Sequence, residues 1–197
     1  LLRCPASALR DRLLRGLADG TLRPALATAD APGTAMRRKG TRLSGQKIAV
    51  HGAAGADGFV VAAPDGLFWI EAAGAHVELD PLVDGGFLGR ISLHDAPAER
   101  LAEADVPVLV EAAEDEARLA ASAELIGVMD VALATTGAYI RTRRQFGVPI
   151  GSFQALQHRM VDLWIQHRLA KAALNRAVAA FDGPMQDRAI AVSAAKA

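Results

Sequence analysis

The 197-residue chain is predicted to have an α+β fold, in which an antiparallel β-barrel or sandwich is followed by an incomplete antiparallel helical bundle. Two observations support this prediction. Between residues 24 and 112, short apolar runs alternate with Gly, Pro and Asp at nearly regular spacing, which is typical of strands and turns. From about Glu114, apolar positions recur every three or four residues, which is typical of amphipathic helices. The predicted segments are therefore residues 1–23, 24–112 and 113–197.

The elements follow in order along the chain. In residues 1–23, leucines recur at helical spacing up to Gly20, which indicates a short helix. The middle segment contains four clear apolar runs, which are KIAVHG, GFVVAA, GLFWIEA and GRISL. A long helix is then expected to end near Arg144, because residues 146–149 combine Gly with Pro. Ser152 is predicted to cap a second long helix, and the short connection predicts that the two helices are antiparallel neighbours.

Composition excludes several classes of protein. The formal net charge is zero, which argues against a nucleic-acid-binding protein or an anionic-membrane binder. Cys4 is the single cysteine, so no internal disulfide can form and a cytoplasmic location is expected. No membrane span is expected, because the most apolar stretch still carries Glu124 and Asp130. The chain lacks an initial Met and stops within a helical pattern, which suggests that sequence is missing at both ends.

Common site motifs are absent from the sequence. The five histidines lack the spacing of metal ligands, so no metal site is predicted. The glycine-rich segment 52–58 precedes an apolar run typical of a strand, which favours a turn over a phosphate-binding loop. The cluster Arg141, Arg143 and Arg144 has two interpretations. It is either a solvated cationic helix end or an anion site in which an Arg binds a phosphate.

A longer motif surrounds this arginine cluster. The segment Tyr139 to His158, YIRTRRQFGVPIGSFQALQH, resembles the C-terminal domain of acyl-CoA dehydrogenases. The resemblance implies that Arg143, Phe146 and Gln154 contact FAD that is bound mainly to a neighbouring subunit. Weaker resemblances cover LRPALATADAPG, LSGQKIAV and PAER, in the order of the family's middle β-domain. They imply the end of an N-terminal helical domain, a β-domain and part of a C-terminal helical bundle.

The sequence also departs from the family pattern. The family usually has Thr-Glu-Pro where this chain has Ala29-Asp30-Ala31, and it often has Trp and Thr at the positions of Ala49 and His51. The loss of a hydroxyl and an aromatic ring beside the flavin favours a partner subunit of a heteromeric enzyme. Ordinary divergence, with the flavin held by backbone groups, is the alternative.

No catalytic residue is assigned from the sequence. The family uses a carboxylate as base, which in many members lies downstream of Ala197 and in a minority lies on the first helix of the C-terminal domain. Glu116 and Glu124 are near that minority position without aligning with it. Each is better explained as a solvated helix residue.

The resemblance implies α,β-dehydrogenation of an acyl-CoA thioester, with FAD as cofactor and an electron-transfer flavoprotein as acceptor. It also implies a homo- or hetero-oligomer. Three alternatives are a non-catalytic subunit that completes a partner's FAD site, an oxygen-using oxidase or monooxygenase, and a helical interaction module without flavin.

Overall fold

The computed structural model describes residues 1–103 and 105–196 and divides into two compact units, Leu1–Val110 and Glu111–Ala197. The first unit contains a short helix, a set of strands and the first residues of a long helix, and the second is mainly helical with a short β-hairpin. The finer division at residues 23 and 112 stays a prediction.

The first unit begins with helix α1, Ala8–Ala18, whose N-cap Ser7 accepts a hydrogen bond from the backbone N–H of Arg10 at 3.1 Å. Strands follow in the order β1 Pro24–Ala27, β2 Arg37–Lys39, β3 Arg42–His51, β4 Gly58–Ala63, β5 Gly66–Glu71, β6 His76–Pro81, β7 Phe87–Pro97 and β8 Glu99–Ala102.

These strands form two sheets of four strands within the described residues, in the orders β1-β4-β5-β8 and β2-β3-β7-β6. The pair β1–β4 is parallel, and the other pairings described in the two sheets are antiparallel. Buried side chains from both sheets pack together in one core, which includes Leu43, Phe59, Phe68 and Ile91. The predicted α+β class with antiparallel sheets is confirmed. Of the two predicted arrangements, the sheets form a sandwich-like pair rather than a closed barrel.

Helix α1 covers the outer face of the first sheet. Leu9 and Leu13 are buried in a second apolar cluster with Val60 and Trp69 of β4 and β5. Because β4 is covered on both faces, all six of its residues are buried, and its sequence GFVVAA shows no polar alternation.

The second unit is built on helices α2 Val106–Thr142, α3 Gln154–Ala180 and α4 Met185–Lys196. Helix α2 begins eight residues before the predicted start, in the first unit, where Val106 is buried and Leu109 packs against the second cluster. The predicted cap at Ser152 is wrong. Ser152 ends a short 3₁₀ turn, and its hydroxyl donates to the carbonyl of Pro149 at 2.7 Å, so Phe153 occupies the N-cap position.

Polar contacts join the three helices of the second unit. Asp115 Oδ2 of α2 lies 3.2 Å from Arg188 Nε of α4, and both side chains are buried. His167 Nε2 of α3 lies 2.8 Å from Asp130 Oδ1 of α2, although its N–H direction does not satisfy hydrogen-bond geometry. Polar side chains thus link α2 to both α3 and α4.

Helix α2 is long and apolar enough to cross a membrane by length and composition alone. This is weak evidence, because helices in soluble proteins pass the same test. The helix also carries Asp115, Glu124 and Asp130, which a bilayer interior disfavours. The expectation that no segment spans a membrane stays a prediction.

Candidate functional site

The connection between α2 and α3 is a tight β-hairpin. Strand β9, Arg144–Gln145, pairs antiparallel with β10, Val148–Pro149, and Phe146 and Gly147 form the two-residue turn. Both turn residues have positive φ, +52° and +80°, which is the geometry of a type I′ turn. Arg144 stabilises the turn by donating to the carbonyl of Gly147 at 2.9 Å.

Phe146 is in an unusual conformation for its residue type. A type I′ turn favours Asn, Asp or Gly at this position, and a bulky side chain with positive φ is strained. The ring is 92% exposed, and its nearest aromatic contact is an edge-to-face approach to Phe153 at 6.2 Å. The hairpin therefore presents an aromatic surface to solvent at a conformational cost, a combination that is concentrated at functional sites.

Arg143 and Gln154 lie on either side of this hairpin. The backbone N–H of Ile150 donates to the carbonyl of Arg143 at 2.8 Å, which ties the end of α2 to the start of α3. A Cβ at Gly151 would lie 2.9 Å from the carbonyl oxygen of Ile140, so glycine permits this close approach. Both side chains are exposed, and within the described residues no hydrogen bond or ion pair engages the guanidinium of Arg143 or the amide of Gln154.

The composition of this corner fits FAD. A free guanidinium binds phosphate oxygens through paired donors, an amide can donate or accept beside it, and an exposed ring packs against a planar ligand. The three predicted FAD-contacting residues, Arg143, Phe146 and Gln154, are brought to one corner by the hairpin. Their role toward FAD is a proposal.

The segments that depart from the family pattern are adjacent in the first unit. The backbone N–H of Ile48 donates to the carbonyl of Ala29 at 2.9 Å, so β3 lies beside the segment that follows β1. The β3–β7 ladder is irregular between Lys47 and Val50, and Ala49 there has φ of +54°. Ala49 and His51 are both exposed, so this edge carries a methyl group and an imidazole.

Neither of the two carboxylates considered as the catalytic base lies in a recognisable site. Glu116 and Glu124 are both exposed on α2, and Glu124 borders a shallow groove lined by residues of the same helix. No group of three or more metal-ligating side chains occurs among the described residues. The catalytic base stays unassigned.

Several buried ionisable groups that matter to the structure were not identified from the sequence. Asp115, Arg188 and Lys47 are buried and paired, and His167 is buried beside Asp130. The sequence does indicate that Lys47 faces inward. It lies two residues after Gly45 and four residues after Leu43, so it falls on the same, inward face of β3. Asp115 lies one helical turn before Leu119 on the predicted apolar face of α2, which is a comparable signal.

Comparison with known proteins identifies the family. Residues 108–197 match the model described as acyl-CoA dehydrogenase, C-terminal domain. Acyl-CoA dehydrogenase FadE34 of Mycobacterium tuberculosis (strain ATCC 25618 / H37Rv) is 37% identical over 148 residues, which are 71% of this chain and 20% of that protein. FadE27 of the same organism is 31% identical over 176 residues, 85% of this chain and 45% of that protein. The chain therefore spans less than half of the length of each of these two relatives.

Solved structures agree with this assignment. The Tcur3481-Tcur3483 steroid ACAD G363A variant is 34% identical with a TM-score of 0.79, covering 96% of this chain and 55% of that chain. The ChsE4-ChsE5 complex from Mycobacterium tuberculosis is 27% identical with a TM-score of 0.76, covering 92% of this chain and 52% of that chain. The structure of PigA with FAD and proline shares the fold. It is 24% identical with a TM-score of 0.83, covering 98% of this chain and 60% of that chain. The resemblance seen in the sequence is confirmed, and the chain belongs to the acyl-CoA dehydrogenase family.

Proposed function

We propose that this chain is a subunit of an oligomeric, FAD-dependent acyl-CoA dehydrogenase that introduces an α,β double bond into an acyl-CoA thioester. FAD would supply the acceptor for the hydride that leaves the β carbon, and the α proton would leave to a base that stays unassigned. The observation that carries the proposal is the strained, exposed corner containing Arg143, Phe146 and Gln154. Family membership and the FAD named in the PigA structure support the choice of cofactor.

The corner is proposed to complete the FAD site of a neighbouring subunit. The guanidinium of Arg143 has no partner within the described part of the chain, so it is available to bind an anionic group. Phe146 would pack its exposed ring against the cofactor, and Gln154 would donate or accept a hydrogen bond beside it. Since all three side chains point to solvent in the single chain, they are suited to a ligand that another subunit holds.

Substitution of Arg143 tests this role. Arg143→Ala in the assembled enzyme is expected to weaken FAD retention by about 1.5–3 kcal/mol, because a charge-assisted contact is lost. FAD remaining after gel filtration is quantified from its visible absorbance. Arg141→Ala, at the same helix end, is the matched control and should retain FAD. Equal retention in wild type and Arg143→Ala would show that Arg143 does not bind the cofactor.

A second candidate is a non-catalytic subunit that completes a partner's FAD site without holding FAD itself. The methyl groups of Ala29 and Ala49 and the imidazole of His51 favour this candidate, because they replace groups that face the flavin in the family. The similar Tcur3481-Tcur3483 and ChsE4-ChsE5 structures each pair two named chains. The full-length protein would be purified alone and with a co-expressed related chain. Stoichiometric FAD in the lone protein would exclude the non-catalytic subunit.

The electron acceptor can be determined separately. We propose an electron-transfer flavoprotein in a cytoplasmic setting, to which the single buried Cys4 is suited. Rapid anaerobic flavin reduction by acyl-CoA, followed by reoxidation with the electron-transfer flavoprotein, is the expected result. Stoichiometric hydrogen peroxide in air would instead indicate an oxygen-using enzyme.

A further inference from the structure

The hairpin formed by β2 and β3 carries four basic residues within six positions, which are Arg37, Arg38, Lys39 and Arg42. Within the described residues, β2 is an edge of its four-stranded sheet, and its three residues are all exposed. The register of the hairpin divides the four cations between two faces. Arg38 lies opposite the buried Leu43 and therefore faces inward. The other three cations share the outer face.

The inward-facing cation has a structural role. The guanidinium of Arg38 lies 6.0 Å from the centre of the buried Phe68 ring and pairs with the carboxylate of Asp65. Arg100 of β8 approaches the same ring at 5.4 Å and the same carboxylate at 3.8 Å. These contacts join β2 of the second sheet to β5 and β8 of the first. Arg38 is therefore explained by contacts within the fold.

The cations on the outer face are less well neutralised. Lys39 lies directly opposite Arg42 in the hairpin, and like charges placed opposite each other destabilise a sheet. Arg42 lies 3.5 Å from Asp95 Oδ2 and donates to the carbonyl of Asp95 at 2.6 Å. Within the described part of the chain, no hydrogen bond, ion pair or ring contact engages the side chain of Arg37 or Lys39. The hairpin therefore keeps two charges without a counter-charge, at a cost in stability.

Protection of the sheet edge explains these charges poorly. Charged side chains on an edge strand discourage pairing with another strand, but a very short edge strand is itself such a protection. Here the edge strand has only three residues. Solubility would be served equally well by cations spaced apart, which would avoid the repulsion between Lys39 and Arg42. A ligand that neutralises the cluster is the better explanation.

We propose that the outer face of the β2–β3 hairpin binds an acidic surface segment of a partner protein. Alternate residues of a strand lie about 7 Å apart on one face, so Arg37 and Lys39 match two carboxylates of similar spacing. An extended segment or one turn of a helix supplies such a pair. The carboxylate of Asp95, 66% exposed beside Arg42, would repel a continuous polyanion such as nucleic acid, whereas discrete carboxylates can avoid it.

The test is the fluorescence anisotropy of a labelled peptide of alternating Glu and Thr, titrated with the full-length protein. The peptide should bind at low ionic strength and dissociate as salt is added, and a peptide of alternating Gln and Thr should not bind. The double variant Arg37→Gln/Lys39→Gln should bind about tenfold more weakly, because two ion pairs are lost. Arg15→Gln/Arg176→Gln, which removes two exposed cations from separate helices, is the matched control and should bind like wild type.

A stability measurement accompanies the binding assay. Lys39→Gln also removes the repulsion with Arg42, so it should raise the urea midpoint of unfolding while it lowers the affinity for the acidic peptide. Loss of affinity in the hairpin variant alone, in a fully folded protein, supports the docking surface. Equal affinity of wild type and the hairpin variant overturns it, as does a wild-type protein that does not bind the acidic peptide at low ionic strength. None of these outcomes depends on FAD, so their failure leaves the proposed function standing.

Discussion

At the scale of single residues, the candidate site is distinguished by conformation as much as by residue type. The backbone of Phe146 lies in the left-handed region, which costs a residue with a Cβ about 1–2 kcal/mol relative to glycine. Its ring gains no burial in return within the single chain. We therefore propose that the ring makes its contact outside the single chain, since it does not stabilise the hairpin by burial.

Phe146→Gly separates conformation from contact. Glycine relieves the strain of the left-handed conformation, which stabilises the folded state, but it also increases the entropy of the unfolded chain. Because these two effects oppose each other, the free energy of unfolding should stay within about 1 kcal/mol of wild type. FAD retention by the assembled enzyme should fall, because the aromatic surface is lost. Chemical denaturation and flavin absorbance measure the two effects. Unchanged FAD retention would contradict a role for the ring, and Phe146→Asn, which also tolerates positive φ, should behave like Phe146→Gly.

At the scale of elements, a buried charged pair sets the packing of the helices in the second unit. Asp115 is 1% exposed, and its second oxygen lies 3.0 Å from Arg118 on the same helix. Arg188 also stacks over the ring of Phe181 at 5.7 Å. A buried pair adds little net stability over an apolar one, but removing one partner leaves the other charge uncompensated.

Asp115→Asn should therefore be strongly destabilising. Loss of the carboxylate leaves the buried guanidinium of Arg188 without its counter-charge, at a cost of about 3–5 kcal/mol. Glu114→Gln is the control, since Glu114 pairs with Arg118 at 2.7 Å at a half-exposed position and should cost at most about 1 kcal/mol. Urea denaturation of the two variants measures both. Similar losses would show that Asp115 is not more important than a surface partner.

The elements also show how far the sequence could predict the fold. The four apolar runs identified β3, β4, β5 and β7, which contribute most of the buried core, but not β1, β2, β6 and β8. The start of α2 was placed too late, since VPVLVEA is apolar without a clear period and Pro107 argues against a helix, although proline is tolerated in a first helical turn. The type I′ turn at Phe146 was also missed, because its residue type opposes positive φ.

The candidate site was predictable for a different reason. Arg143, Phe146 and Gln154 were identified by resemblance, whereas spacing alone favoured a solvated helix end for the arginine cluster. The buried partners of Lys47 and Asp115 depend on contacts between distant segments, 17 residues apart for Lys47 and Asp30 and 73 for Asp115 and Arg188. A local pattern can show that a charge is placed inward, but it cannot name the group that pairs with it.

At the scale of the whole molecule, the two units differ in how well they cover their apolar surface. The first has two buried clusters, whereas helices α2 and α3 expose many large apolar side chains. Trp164 is 58% exposed and lines a groove of about 430 Å³ with Leu133, Ala134, Met160 and Val161. Arg168 stacks on its ring at 5.7 Å. Exposed Trp and Arg in an apolar groove are typical of the residues that contribute most to protein interfaces.

Trp164 is therefore expected to become buried when the oligomer assembles. Trp164→Gln should leave each subunit folded but raise the dissociation constant of the oligomer at least about tenfold, because loss of a central interface residue costs about 2 kcal/mol or more. Sedimentation velocity over a concentration series, with the chain alone and with a related chain, measures this change. In wild type, assembly should also shift tryptophan emission to shorter wavelength, and Trp69 should contribute little to the shift because it is already buried. Val83→Gln, at a fully exposed position of the first unit, is the control and should assemble normally. If Trp164→Gln assembles at the same concentration as wild type, the groove lies outside the subunit interface and the oligomer forms through another surface.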